Sequence, residues 1–188
     1  MAFFSAGADK EKLMILYSLK SAGIPLSREQ IASVVYDQGL DNYITLSEHL
    51  MELEENSCLA TVPTYRLQTM VLTRRGEEVV SLFENTLPRS IRNGLDEFIE
   101  AHRDGFRREN TSQVQSKFHT DGSFSTELAL VENGEAFFEI RIKLPSAGYT
   151  RIAERRWDEL NQKLYLDTLL ALTSEEPDEA RTDGVAKE

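Results

Sequence analysis

Ser27-Arg28-Glu29-Gln30-Ile31-Ala32-Ser33-Val34-Val35-Tyr36-Asp37-Gln38-Gly39, followed shortly by Asn42-Tyr43-Ile44-Thr45-Leu46-Ser47-Glu48-His49-Leu50-Met51-Glu52-Leu53, is the stretch on which the fold turns. Ser27 and Gln30 stand three apart ahead of an apolar run, so hydroxyl and amide each satisfy an orphan backbone amide at a helix start. Ile31, Val34 and Val35 then recur at helical spacing, and Gly39 stops that helix. A second box, Thr45 to Glu48, predicts the start of a third helix with Leu46, Leu50 and Leu53 on one face. Towards the amino end, Asp9 is placed to cap a first helix that buries Leu13, Leu16, Tyr17 and Leu19 and ends at Gly23. Ile24-Pro25-Leu26 suits an edge strand. Towards the carboxyl end, Cys58–Pro63 and Arg66–Leu72 are rich in β-formers and joined across Pro63-Thr64-Tyr65, and Thr73 caps a further helix running to Leu87. Three short helices closed by a hairpin predict a winged helix-turn-helix over residues 9–87.

A second unit is predicted over residues 88–173. Pro88 opens a helix with Ile91, Leu95, Phe98, Ile99, His102 and Phe106 on its apolar stripe, where His102 is read as a packed or rim residue. The period then changes to two: Val114-Ser116-Phe118, Phe124-Thr126-Leu128-Leu130 and Ala136-Phe138-Ile140-Ile142 alternate with more polar neighbours as three antiparallel strands. A three-residue loop, Thr120-Asp121-Gly122, keeps Phe118 opposite Phe124 and Val114 opposite Leu128. A second loop of the same kind, Glu132-Asn133-Gly134, pairs Leu128 with Phe138 and avoids facing Glu132 with Glu135. A last helix from about Thr150 to Leu172 offers Ile152, Trp157, Leu160, Leu164, Leu169 and Leu172 to the core. Residues 174–188 are acidic, lack aromatics and read as a disordered tail. The fold class is α+β.

On the opposite face of the sheet, Ala129, Val131 and Phe137 form a small apolar spot that a helix or a second subunit could cover, which makes them candidate dimer contacts. The protein is expected to be a homodimer held through this unit.

Composition narrows the chemistry. The net charge is −11, and up to Leu87 there are 7 Lys and Arg against 12 Asp and Glu. No segment is basic, so duplex DNA can be bound only if the few cations are concentrated. One cysteine, Cys58, excludes an internal disulfide and sits where a small packed residue belongs. No apolar stretch is long enough to span a membrane, Met1-Ala2-Phe3-Phe4 lacks the basic start of a signal peptide, and a cytoplasmic protein is expected. There is no phosphate loop, nucleophile elbow or paired-cysteine motif, and His49, His102 and His119 are far apart, so neither an enzyme, a metal nor a cofactor is expected.

The exit from the wing, Leu72-Thr73-Arg74-Arg75-Gly76, resembles that of many bacterial winged-helix regulators, including the multiple-antibiotic-resistance type. Lys12-Leu13-Met14-Ile15-Leu16-Tyr17, Ile24-Pro25-Leu26 and Asn42-Tyr43-Ile44-Thr45-Leu46 resemble a bacterial family of unknown function that begins with a winged helix. The resemblance spans most of the chain and implies a regulatory role with no reaction or ligand attached. Between Asp41 and Asn56 there is no Lys or Arg, so base contacts would fall to Asn42, Tyr43, Thr45, Ser47 and His49 at the amino end of the third helix. Phosphate anchors would be Arg28 at the start of the second helix and Arg66, Arg74 and Arg75 on or just past the wing. The alternative is a winged helix used for protein contact, its acidic third helix meeting a basic partner.

Overall fold

The structure, a computed structural model, describes residues 8–40 and 42–174. The first helix already begins at Ala8, so Asp9 lies within its first turn and not ahead of it as the expected cap, while the predicted acidic tail past Ser174 lies outside the described residues. By its contacts the chain forms two compact units, one taking everything up to Gln113 together with Val131–Phe137, the other Val114–Leu130 and the residues from Phe138 onward.

The first unit is built around α1 (Ala8–Ala22). Leu13, Met14, Ile15 and Leu16 are consecutive and all buried, and four successive residues point all round a helix, so this part of α1 must be surrounded. Around it pack α2 (Arg28–Asp37), α3 (Tyr43–Glu55), α4 (Arg74–Phe83) and α5 (Arg89–Thr111). Each fully buried aliphatic side chain contributes about 1.5–3 kcal/mol. The predicted box at α2 is present: the Gln30 amide donates to Ser27 Oγ (3.2 Å) and the Ser27 amide donates to Gln30 Oε1 (2.9 Å). The Gln30 side-chain nitrogen goes on to donate to Phe106 O and Glu109 Oε2, tying α2 to α5. On the other side, Tyr17 and Ser21 of α1 both donate to the Asp96 carboxylate of α5, at 2.9 and 2.6 Å. Thus α5, which the sequence places at the head of the second unit, packs on α1 and α2.

β1 (Leu26–Ser27), β2 (Leu59–Thr64) and β3 (Leu67–Leu72) form an antiparallel sheet in the order β1-β3-β2, with Leu26 opposite Met70 and Leu59 opposite Leu72. The wing turn is Tyr65-Arg66, not Pro63-Thr64-Tyr65, and Pro63 lies inside β2 opposite Gln68. β2 is an edge strand, where a residue without an amide hydrogen costs no ladder bond if it faces outward. Thr73 caps α4 as predicted, accepting from the Gly76 amide at 3.1 Å and donating to Ser57 O at 2.6 Å. Gly76 lets α4 approach this closely, because a Cβ there would overlap the carbonyl oxygen of Cys58. These helices and this sheet follow in the order expected from the sequence, three helices and then a two-stranded hairpin that a short first strand extends.

In the second sheet β4 (Ser112–Phe118), β5 (Phe124–Glu132) and β6 (Glu135–Leu144) lie in chain order, and α6 (Ala147–Thr173) follows. The first hairpin matches expectation. Gly122 has φ +82, its amide donates to His119 O, and the His119 amide donates to Ser123 O, which sets Phe118 beside Phe124 at 5.1 Å between ring centroids. The second does not: Asn133 and Gly134 both have positive φ, 51 and 86, the signature of a two-residue primed turn. Glu132 and Glu135 therefore flank the turn after all. Both are exposed, and like charges in water cost less than the twist match of a primed turn gains. Phe138 and Ile140 nevertheless share a cluster with Leu128, Leu130 and Trp157, while Arg141 pairs with Glu127 at 2.8 Å on the other face. Of the six core candidates on α6 only Trp157 is buried; Leu160 is half-buried and the other four are exposed.

Candidate nucleic-acid interface

The amino end of α3 starts three residues earlier than the Thr45 box predicts. Asn42 is the cap, its side-chain oxygen accepting from the amides of Ile44 (2.9 Å) and Thr45 (3.4 Å). An Asx cap at this place satisfies two orphan amides at once, and Thr45 moves inside the first turn, half-buried. The earlier start turns Tyr43 and Ile44 outward, 57% and 68% exposed, and Met51 lies two turns on at 53%. Glu48 and Glu55 are exposed on the same helix. Leu46, Leu50 and Leu53 face the core as predicted.

Arg28 and Ser47 are brought together: Arg28 Nη1 donates to Ser47 Oγ at 3.3 Å, and Ser47 Oγ donates to Tyr43 O at 2.9 Å. A cation at the start of α2 is thereby held against the first turns of α3. Two residues expected on the solvent side behave differently. His49 is buried and its Nε2 lies 2.8 Å from Glu11 Oε2 of α1, so it is not available for base contact. Glu52 pairs with the buried Lys12 of α1, whose hydrogen bond and charge hold the Glu52 carboxyl below the usual carboxylate range.

The wing tip is clamped. The Arg66 amide donates to Gln113 Oε1 (3.1 Å) and the Tyr65 amide donates to Gly134 O (2.7 Å), both within the first unit. The Gln113 side-chain nitrogen also donates to Thr64 Oγ1 and Asn110 O. The Arg66 guanidinium donates to the Tyr65 hydroxyl (2.9 Å) and lies 4.6 Å from the centre of that ring. Such a wing is a fixed edge, and sequence reading missed its anchors because Gln113 and Gly134 are remote along the chain. The only hint was a glutamine at the helix-to-strand junction, a polar side chain where an apolar one is ordinary. Arg74 is exposed and pairs with Glu78 at 3.2 Å, and Arg75 is exposed and offsets, in part, the burial that pushes the Cys58 thiol up. Of the three candidate dimer contacts, Ala129 and Val131 are buried within the chain and Phe137 is half exposed.

Among the described residues no group of three or more His, Cys, Asp and Glu could hold a metal ion, and no helix is long and apolar enough to cross a membrane. The fold is α+β, with amino-terminal helices and a small three-stranded sheet, a second three-stranded antiparallel meander and a long carboxyl-terminal helix. The chain belongs to the family described as Domain of unknown function (DUF4364), whose family model matches residues 11–172. No curated protein and no solved structure matches the sequence.

Proposed function

We propose that the chain is a DNA-binding transcriptional regulator that acts as a homodimer and engages duplex DNA with the amino end of α3. The observation that carries this is the hydrogen bond that holds Arg28 against Ser47 at that end, on the same first turns of α3 that expose Tyr43. Arg28 supplies phosphate contact at a helix start where anions are already favoured, and Tyr43, Ser47 and the side-chain amide nitrogen of Asn42 supply neutral contacts to base edges. Arg66 adds a cation at fixed position on the wing, and Arg74 and Arg75 are further candidate phosphate contacts. An acidic body suppresses non-specific affinity, so binding is confined to a well-matched site.

The test is a titration of the full chain against pooled genomic fragments at low and moderate salt. Retention of a subset of fragments, weakening with salt and lost in Arg28→Ala with Arg66→Ala, is expected. No retention at low salt refutes the proposal.

A second function is favoured by one specific observation, the exposed Ile44 and Met51 beside Glu48 and Glu55. Apolar anchors ringed by acids suit a basic protein surface. The variant Glu48→Gln separates the two. Removing that charge strengthens DNA retention in the first case and leaves DNA retention absent, with a basic partner bound more weakly, in the second.

A further inference from the structure

The outer face of α6 carries a pattern that the core does not use. Ile152, Arg155, Glu159, Lys163, Leu166 and Leu170 follow at steps of three and four along the side of the helix opposite Trp157. Trp157 is 1% exposed, whereas Ile152, Leu166 and Leu170 expose 49%, 52% and 67%, and the three charged residues are exposed as well. A merely solvated face has no reason to set large aliphatic side chains at both ends of a stripe with opposite charges between them.

We infer that this stripe is the contact between two copies of the chain, packed as an antiparallel pair of α6 helices about a two-fold axis at the level of Asn161. Charge selects both the occupant and the direction. A parallel pair sets Arg155, Glu159 and Lys163 each against its own copy. In the antiparallel pair centred on Asn161, each residue meets one equally far on the other side of that point. Glu159, which also pairs with Arg156 of its own chain at 3.1 Å, then faces Lys163 of the partner subunit, Arg155 meets Asp167 of the partner subunit, Arg156 lays its aliphatic stem against Leu166 of the partner subunit, and Ile152 meets Leu170 of the partner subunit. Two-fold symmetry makes every such contact twice, as in any isologous interface. The paired length is roughly 27 Å at 1.5 Å per residue. The exposed Leu169 flanks the stripe and extends its apolar end. The predicted contacts Ala129 and Val131, buried within the chain, are not needed. This rests on the homodimer part of the proposed function and is independent of DNA binding.

Sedimentation of the full chain over a range around micromolar concentration tests it, alongside the DNA titration on the same samples. The wild type is expected at twice the chain mass. Glu159→Lys and Lys163→Glu, each creating two like-charged contacts, are expected to weaken the dimer about tenfold. The double exchange, which restores opposite charges, is expected to return it to within about twofold. Leu166→Glu with Leu170→Glu is expected at the single-chain mass with unchanged helical circular dichroism. A monomeric wild type, single variants as tight as wild type, or a double exchange that rescues nothing overturns the interface. A dimer that behaves as expected but retains no DNA leaves the interface standing and removes the regulator. Specific DNA retention by a monomeric chain does the reverse.

Discussion

Replacing Gln113 by leucine measures how firmly the wing is held. Gln113 is buried, and its side chain accepts from the Arg66 amide at 3.1 Å while donating to Thr64 Oγ1 at 3.2 Å and Asn110 O at 3.3 Å. A hydrogen bond contributes a net of about 1 kcal/mol, which sets an upper figure of about 3. Thr64 and Asn110 are half-buried and can take water instead, so the lost partner of the Arg66 amide dominates and about 2 kcal/mol is expected. Leucine is similar in size, which keeps the cavity contribution small. Against a domain stability of about 5–15 kcal/mol the variant still folds. Urea unfolding should show a lower midpoint at unchanged slope. Hydrogen exchange at the Arg66 amide should quicken roughly thirtyfold, while core amides of α1 change only by the global loss. An unchanged midpoint together with unchanged exchange at Arg66 refutes the clamp.

Gly76→Ala forces a Cβ into the Cys58 carbonyl and is expected to cost about 2–3 kcal/mol by urea unfolding. Gly94→Ala is its control, because the atoms a Cβ meets there belong to the movable side-chain end of Gln38. Asn42→Ala removes the α3 cap and should cost about 1 kcal/mol, with Asn42→Asp keeping the cap. Burial first, then the hydrogen bond to Asp96, pushes the Tyr17 hydroxyl from 10.0 up to about 12. The folded value is raised, so the stability Tyr17 contributes is complete below pH 10 and is lost as pH rises towards 12. Unfolding midpoints across that range should fall in the wild type by more than in Tyr17→Phe, and equal slopes count against the Tyr17–Asp96 link.

What could be read from sequence was local. The Ser27–Gln30 box, the Thr73 cap and the Gly122 turn each involve residues a few positions apart, and each is present. The start of α3 went astray because two capping residues competed, and Asn42, which takes two amides, prevailed over Thr45. The second hairpin was misjudged by weighing an exposed Glu132–Glu135 repulsion above the geometry that Asn133-Gly134 favours. His49, Gln113 and Gly134 find their partners across the fold, at Glu11, Arg66 and Tyr65, and no periodicity reports such pairings. The α6 leucines expose a deeper ambiguity, since helical spacing marks a face that wants covering without naming what covers it.

Pairings across the fold also change how the acidity of α3 should be weighed. Counted along the sequence, its carboxylates make DNA an unfavourable partner. In the structure Glu52 is committed to Lys12, and Glu54 accepts the Thr61 hydroxyl of the neighbouring strand, so these two face the protein's own groups. The charge presented outward on α3 is that of Glu48 and Glu55, while at the helix start Arg28 stands against Ser47. Phosphates approaching the amino end encounter a guanidinium and a helix terminus first, and the two exposed carboxylates only farther along. Position along the helix, more than the net charge of −11, therefore governs whether this head can accept a polyanion.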